Sequence, residues 1–121
     1  MKLPLRSIIL AVPALSKLAA SDLSLHLTYR LKKSMDALQK EADFFSEQRK
    51  KIFSKYGTPQ ADGGFSFSEE AEPQAISELD ALLDMEVTPD VSVLDIPVSE
   101  NLRLSVNDLT LLAPFIHFVE A

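Results

Sequence analysis

Cysteine is absent from this 121-residue chain, which removes disulfides, thiol nucleophiles and thiolate-bound zinc. Histidine is scarce: there are two, His26 and His117, on separate elements with no ligand spacing between them, and although acids such as Asp22 could join them, surface or packing roles are the expectation and no metal site is assigned. The sequences GxxxxGK, GxGxxG and HExxH do not occur, which excludes the phosphate-loop, dinucleotide and zinc-hydrolase templates. No apolar run approaches the roughly 18–20 residues of a membrane span, and no repeat or low-complexity tract interrupts the chain. Basic residues almost vanish after the midpoint, where Arg103 is the single Lys or Arg between positions 57 and 121.

What is present fits one domain, 1–121, of ordinary composition, with 46% apolar and 25% charged residues. A chain of this length buries roughly two thirds of the surface its unfolded form exposes. The formal net charge of −6 hides a division. Residues 1–56 hold eleven Lys or Arg against five acids, a balance of +6, and residues 57–121 hold one Arg against thirteen acids, a balance of −12. A basic helical half and an acidic half either lie against each other, within or between chains, or meet charged partners. The start, MKLPLRSIILAVPALSKLAAS, has the outline of a secretory leader, but Pro13 and Lys17 interrupt its apolar run. The expected setting is the cytoplasm.

Periodicity and punctuation predict an α+β fold, mainly helical. After an extended MKLPL, Ser7 is read as the N-cap of a helix over 7–19, kinked or divided at Pro13. Ser21 or Asp22 opens a long central helix over about 22–56, ended by Gly57 in a left-handed conformation and by Pro59. Leu31, Met35, Leu38, Ala42, Phe45 and Ile52 alternate steps of four and three once Arg49 is counted, a heptad seam. Such a helix is about 50 Å long at 1.5 Å per residue, against a diameter near 35 Å for a compact domain of this size. The expectation is a homo-oligomer in which the seams meet.

The stretch TPQADGGFSFS reads as a loop or loose hairpin turning at DGG. A helix over 73–84 follows, with Pro73 at its first position and Ile76, Leu79, Leu82 and Leu83 on its apolar face. A small edge β element is expected near 85–97, where Pro89 and Pro97 restrict pairing. Ser105 and Asp108 form a capping box for a short helix over 105–113, and Phe115, Ile116 and Phe118 form an apolar tail that docks on the core.

In this order, PALSKLA, YRLKKSMDALQKEADFFSEQRKKIFSKYG, DGG, ISELDALLDMEV, VSVLDIP and LSVNDLTLLAPFI resemble, over nearly the whole chain, a family of small phage and prophage proteins of unknown function from viruses of Gram-positive bacteria. The resemblance implies a viral origin and a host-cytoplasm setting, and it brings no catalytic residue.

Carboxylate pairs in SEE, ELD and LLDME suit solvated helix faces, so the chain is read as non-enzymatic and without a cofactor. The candidate ligand site is a basic stripe: His26, Arg30 and Lys33 at helical spacing, Tyr29 beside them, and Lys40 further along. Arginine offers phosphate or carboxylate a planar fork, and tyrosine a stacking face. The competing reading is a solvated or acid-covered helix face. Arg49 in the seam, with Lys50, is a second candidate, either holding an anion between subunits or reaching solvent past Phe45 and Phe53. An acidic pI of about 4.8 argues against nucleic acid as the partner. The expected partners are therefore a second copy of the chain and an anionic, nucleotide-like molecule of host antiviral signalling. The alternative is a viral or host protein bound through the acidic half or the APFIHF tail.

Overall fold

The computed structural model describes residues 1–98 and 102–120. The chain runs β1 (Leu3–Pro4), α1 (Leu5–Ala19), α2 (Leu25–Tyr56), β2 (Gly57–Pro59), β3 (Phe65–Phe67), α3 (Ala71–Asp84), β4 (Glu86–Val87), β5 (Leu94–Pro97), α4 (Val106–Leu112) and β6 (Ile116–Val119). Helix dominates, and the strands form three separate pairs: β1 with β4 and β2 with β3, both antiparallel, and β5 with β6, parallel.

The core is organised on α1. Leu5, Ile8, Ala11, Ala14, Leu15 and Leu18 recur at steps of three and four and are all buried, so one continuous stripe turns inward. Leu31 and Leu38 of α2, Leu94 and Ile96 of β5, Leu112 of α4, and Phe115 and Ile116 close around it. Each fully buried side chain of this size contributes about 1.5–3 kcal/mol.

Several boundaries differ from the sequence-based reading, each for a local reason. Helix α1 starts at Leu5, two residues before Ser7, because Pro4 stands at the N-cap and the Leu5 N–H donates to the Met85 carbonyl at 2.9 Å. Pro13 does not divide the helix. It is exposed, on the side where water can replace the hydrogen bond it deletes at the Ile9 carbonyl. Ser21 and Asp22 do not open α2. The Ser21 hydroxyl donates back to the Lys17 carbonyl, and Ser24 is the N-cap, accepting from the Leu27 N–H at 3.3 Å. Helix α3 begins at Ala71, whose N–H donates to the Ser68 hydroxyl, so Pro73 is the third helical residue and not the first. Its buried contact is Ala75, while Ile76 stays 51% exposed, outside the apolar face assigned to it.

Gly57 does end α2, but its φ of −108° and ψ of 167° are extended, not left-handed. Glycine is required there by space: a Cβ would stand 2.8 Å from the Phe53 carbonyl oxygen, 2.9 Å from Phe67 Cε1 and 3.2 Å from Phe65 Cβ. The left-handed glycine is Gly63, with φ of 89°, at the hairpin tip. Phe53 of α2 packs edge-on against Phe65 and Phe67 at centroid distances of 5.9 and 5.4 Å.

The overhang expected of α2 is thus partly covered within the chain. Its 32 residues span about 48 Å, with the first half on α1 and the second beside α3 and the hairpin. Leu31, Met35 and Leu38 of the seam pack in this core, whereas Ala42, Phe45 and Ile52 are half-buried. The C-terminal apolar tail is strand β6, with Leu94, Asp95, Ile96 and Pro97 opposite Ile116, His117, Phe118 and Val119.

The two charge halves also meet inside the chain. Lys2 reaches Glu86, Arg6 reaches Asp84, Lys17 reaches Asp108 and Lys55 reaches Glu78, at 3.0–3.2 Å. The capping box is formed: the Ser105 hydroxyl accepts from the Asp108 N–H, and the Asp108 carboxylate accepts from the Ser105 N–H. That backbone bond and the Lys17 ammonium hold the Asp108 carboxyl below its ordinary value of 3.8.

Two outcomes follow from this packing. Gly57→Ala lowers stability by about 1–3 kcal/mol, read as a lower urea midpoint at unchanged slope. An unchanged midpoint contradicts the close approach at Gly57. Because folding depresses the Asp108 pKa, its ionised form contributes stability fully above pH 3.8, lost as pH falls through the folded value. The stability difference between wild type and Asp108→Asn therefore narrows in acid below about pH 4; a pH-independent difference contradicts the assignment.

Candidate functional site

Burying Leu31 and Leu38 against α1 fixes the rotation of α2. At 3.6 residues per turn, about 100° per residue, Arg30 stands about 100° round the helix from Leu31 and His26, Tyr29 and Lys33 about 140–160° round, so the four share the side of α2 turned away from α1. Opposite them runs the connection between β4 and β5. Pro89 is buried, Val91 packs on the core, and the Val91 N–H donates to the Pro89 carbonyl at 2.9 Å. Leu94 is buried, and its N–H donates to the Phe115 carbonyl at 3.0 Å. Asp90 and Ser92 alternate with these anchors and are exposed.

Between the two walls lies an open hollow of about 450 Å³. It brings together His26, Tyr29, Arg30 and Lys33 on one side and Asp90 and Ser92 on the other, within the size range of small-molecule sites. A second hollow of about 510 Å³ continues along α2, sharing Lys33 and Asp90 and adding Asp36, Lys40, Glu41 and Thr88. Together they make a groove whose first compartment is the more basic.

Tyr29 is 61% exposed, and the Lys33 ammonium lies 5.3 Å from its ring centroid. That cation–π contact covers one ring face and leaves the other for stacking. Among the described residues no carboxylate oxygen comes within 4.0 Å of the Arg30 or Lys33 side-chain nitrogens. This contrasts with Lys32, the next residue along, which pairs with Asp36. Paired cations are satisfied by the fold; Arg30 and Lys33 present donors to the hollow.

Arg49 and Lys50 are not part of this site. Sixteen residues beyond Lys33, Arg49 is about 24 Å further along the helix. Its guanidinium is exposed and lies 4.4 Å from the Phe53 ring centroid. Past Phe53 is the direction of the solvent-reaching alternative. His117 lies on β6 and does not line the hollow; its Nδ1 is 3.0 Å from an Asp95 carboxylate oxygen. Among the described residues no three His, Asp or Glu side chains gather as a metal group, and none of their helices is long and apolar enough to cross a membrane.

The facing wall was not anticipated from the sequence. Its one local signal is TPDVSVL, in which a proline precedes alternating polar and apolar residues. Two other surfaces were anticipated only in outline. A hollow of about 250 Å³ among Val98, Leu102, Leu104, Leu109 and Phe118 adjoins the C-terminal strand pair. A shallow acidic one at the start of α3 includes Glu69, Glu72 and Asp80 beside Ile76.

Comparison of the chain with protein-family models, with curated proteins and with solved structures gives no match.

Arg49→Ala separates the two basic regions. It costs about 0.5–1 kcal/mol through the lost stacking on Phe53, measured by urea denaturation. It leaves the amide NMR resonances of Tyr29 and Lys33 in place, and a shift of those resonances contradicts the separation.

Proposed function

We propose that this chain is a non-enzymatic, phage-encoded binding protein that captures an anionic, nucleotide-sized molecule in the hollow between α2 and residues 90–94. The observation that carries the proposal is the pair of cations, Arg30 and Lys33, unpaired among the described residues and placed with an exposed tyrosine in one concave site. Arg30 supplies a planar fork for two phosphate oxygens, Lys33 a compact charge, and the open face of Tyr29 a platform for a base. A protein that binds without transforming acts as a sponge, and the ligand class that gives a virus reason to carry one is a nucleotide-like signal of host defence. The host cytoplasm is the setting in which that signal is met.

Self-association belongs to the same proposal, but on a narrower surface than the full seam. Leu31, Met35 and Leu38 pack in the chain's own core, so a second copy would meet the distal half of α2, where Ala42, Phe45 and Ile52 are half-buried.

An alternative reading is a virion-assembly or host-protein-binding role. It is favoured by the apolar hollow beside the C-terminal strand pair, where Val98 and Leu109 are exposed.

Calorimetric titration with guanosine monophosphate at low salt tests the capture reading. Arg30→Ala lowers affinity roughly tenfold or more, as expected for loss of charge-assisted hydrogen bonds, and binding weakens as salt rises. Equal affinity in wild type and Arg30→Ala rules out this site. Co-purification of one viral or host protein in fixed ratio, with no small-molecule binding, favours the alternative.

A further inference from the structure

We infer that Asp90 makes the hollow selective for a ligand with two chemically different ends, one phosphate and one neutral hydrogen-bond donor, as in a nucleoside monophosphate, and makes it reject polyanions. This inference rests on the capture reading above and specifies its ligand.

Asp90 faces the basic stripe without neutralising it. Among the described residues its carboxylate has no Lys, Arg or His nitrogen within 4.0 Å, although it lines the same hollow as Arg30 and Lys33. Asp84, Glu86 and Asp108 are taken up by cations of the fold, whereas Asp90 keeps its charge available to the hollow. Here opposite charges stand on opposite walls with the width of the hollow between them. A ligand that fits both walls is negative towards α2 and donates hydrogen bonds towards the facing wall.

The position of Asp90 is set by its neighbours. Buried Pro89 on one side, Val91 against the core on the other and the Val91 N–H to Pro89 carbonyl bond restrict the backbone that carries it. With its backbone held, Asp90 keeps its charge on this wall when a like charge approaches, and so discriminates between ligands.

The continuation of the groove has the same consequence. A second or third phosphate extending past Lys33 meets Asp90 together with Asp36 and Glu41, with only Lys40 added on the positive side. Lys32 pairs with Asp36 from within the helix and so offsets part of that charge, leaving Asp90 and Glu41 to oppose it. A single phosphate therefore fits beside Arg30, and a phosphate chain does not. Guanine suits the other end, because its adjacent ring N–H and amino group can donate to one carboxylate in parallel, while Tyr29 takes its flat face. Ser34 and Ser92 also line the hollow and suit ribose hydroxyls.

The test uses the full chain and three probes: guanosine monophosphate, inorganic phosphate and tripolyphosphate, titrated calorimetrically into wild type and Asp90→Ala at one low salt concentration. Asp90 is exposed, and circular dichroism checks that the variant keeps its helix content. The expected result is opposite signs: about tenfold weaker binding of guanosine monophosphate in Asp90→Ala, and severalfold tighter binding of phosphate and tripolyphosphate. Wild-type binding of guanosine monophosphate that Asp90→Ala leaves unchanged, or a shift of all three probes in one direction, overturns the inference while the capture reading stands. Failure of wild type to bind any of the three overturns both.

Discussion

The apolar stripe of α1 is the constraint on which the rest of the molecule depends. Leu5, Ile8, Leu15 and Leu18 are the deepest side chains of a short N-terminal helix, which cannot hide them by itself. Covering them requires α2 on one side, α4 and the β5–β6 pair on another, and α3 nearby. The long helix is therefore not the organiser that its length suggests. Its rotation is dictated by which residues α1 takes, and that choice turns His26, Arg30 and Lys33 away from α1, to the side where Asp90 and Ser92 face them. The hollow is a geometric by-product of core packing, since the backbones of both its walls are tied to the same core through Leu31, Leu38, Val91 and Leu94.

Electrostatics then sorts the basic residues. Four cations of the N-terminal half reach acids of the C-terminal half, joining the residue before β1 to β4, α1 to α3 and α4, and α2 to α3. The Lys55 pair is reinforced by Tyr56, whose hydroxyl donates to the same Glu78 carboxylate. Lys55 foremost, then Tyr56, holds the Glu78 pKa down, and Glu78 in turn holds the Lys55 pKa up. Exposed pairs of this kind contribute little individually. Their larger effect is to consume charge: cations that the fold pairs are unavailable to a ligand.

How much of this was legible in the sequence depended on whether the signal was local. The long helix follows from its period and the Gly57 stop, the hairpin from DGG, and α4 from the Ser105 and Asp108 box, all within a few residues of one another. The stripe on α2 was equally legible, because helical spacing alone places His26, Tyr29, Arg30 and Lys33 together. Non-local features were not. The parallel pairing of β5 with β6 joins Leu94 to Ile116, and nothing in either segment names the other. The Asp90 wall shows its meaning only once Pro89 and Leu94 are seen to anchor it. The reason for Gly57 is likewise tertiary, since two phenylalanines from the hairpin occupy the space of a side chain. Seam periodicity proved ambiguous, as the same heptad spacing serves an intrachain partner as well as a second copy.

The most direct test of the central claim is native mass spectrometry of the protein purified gently from bacterial cytosol, compared with the Arg30→Ala, Lys33→Ala double variant. Capture at the α2 hollow predicts a reproducible extra mass of nucleotide size on the wild-type protein that is missing from the double variant. A bare wild-type protein, or an adduct that persists in the double variant, would contradict it.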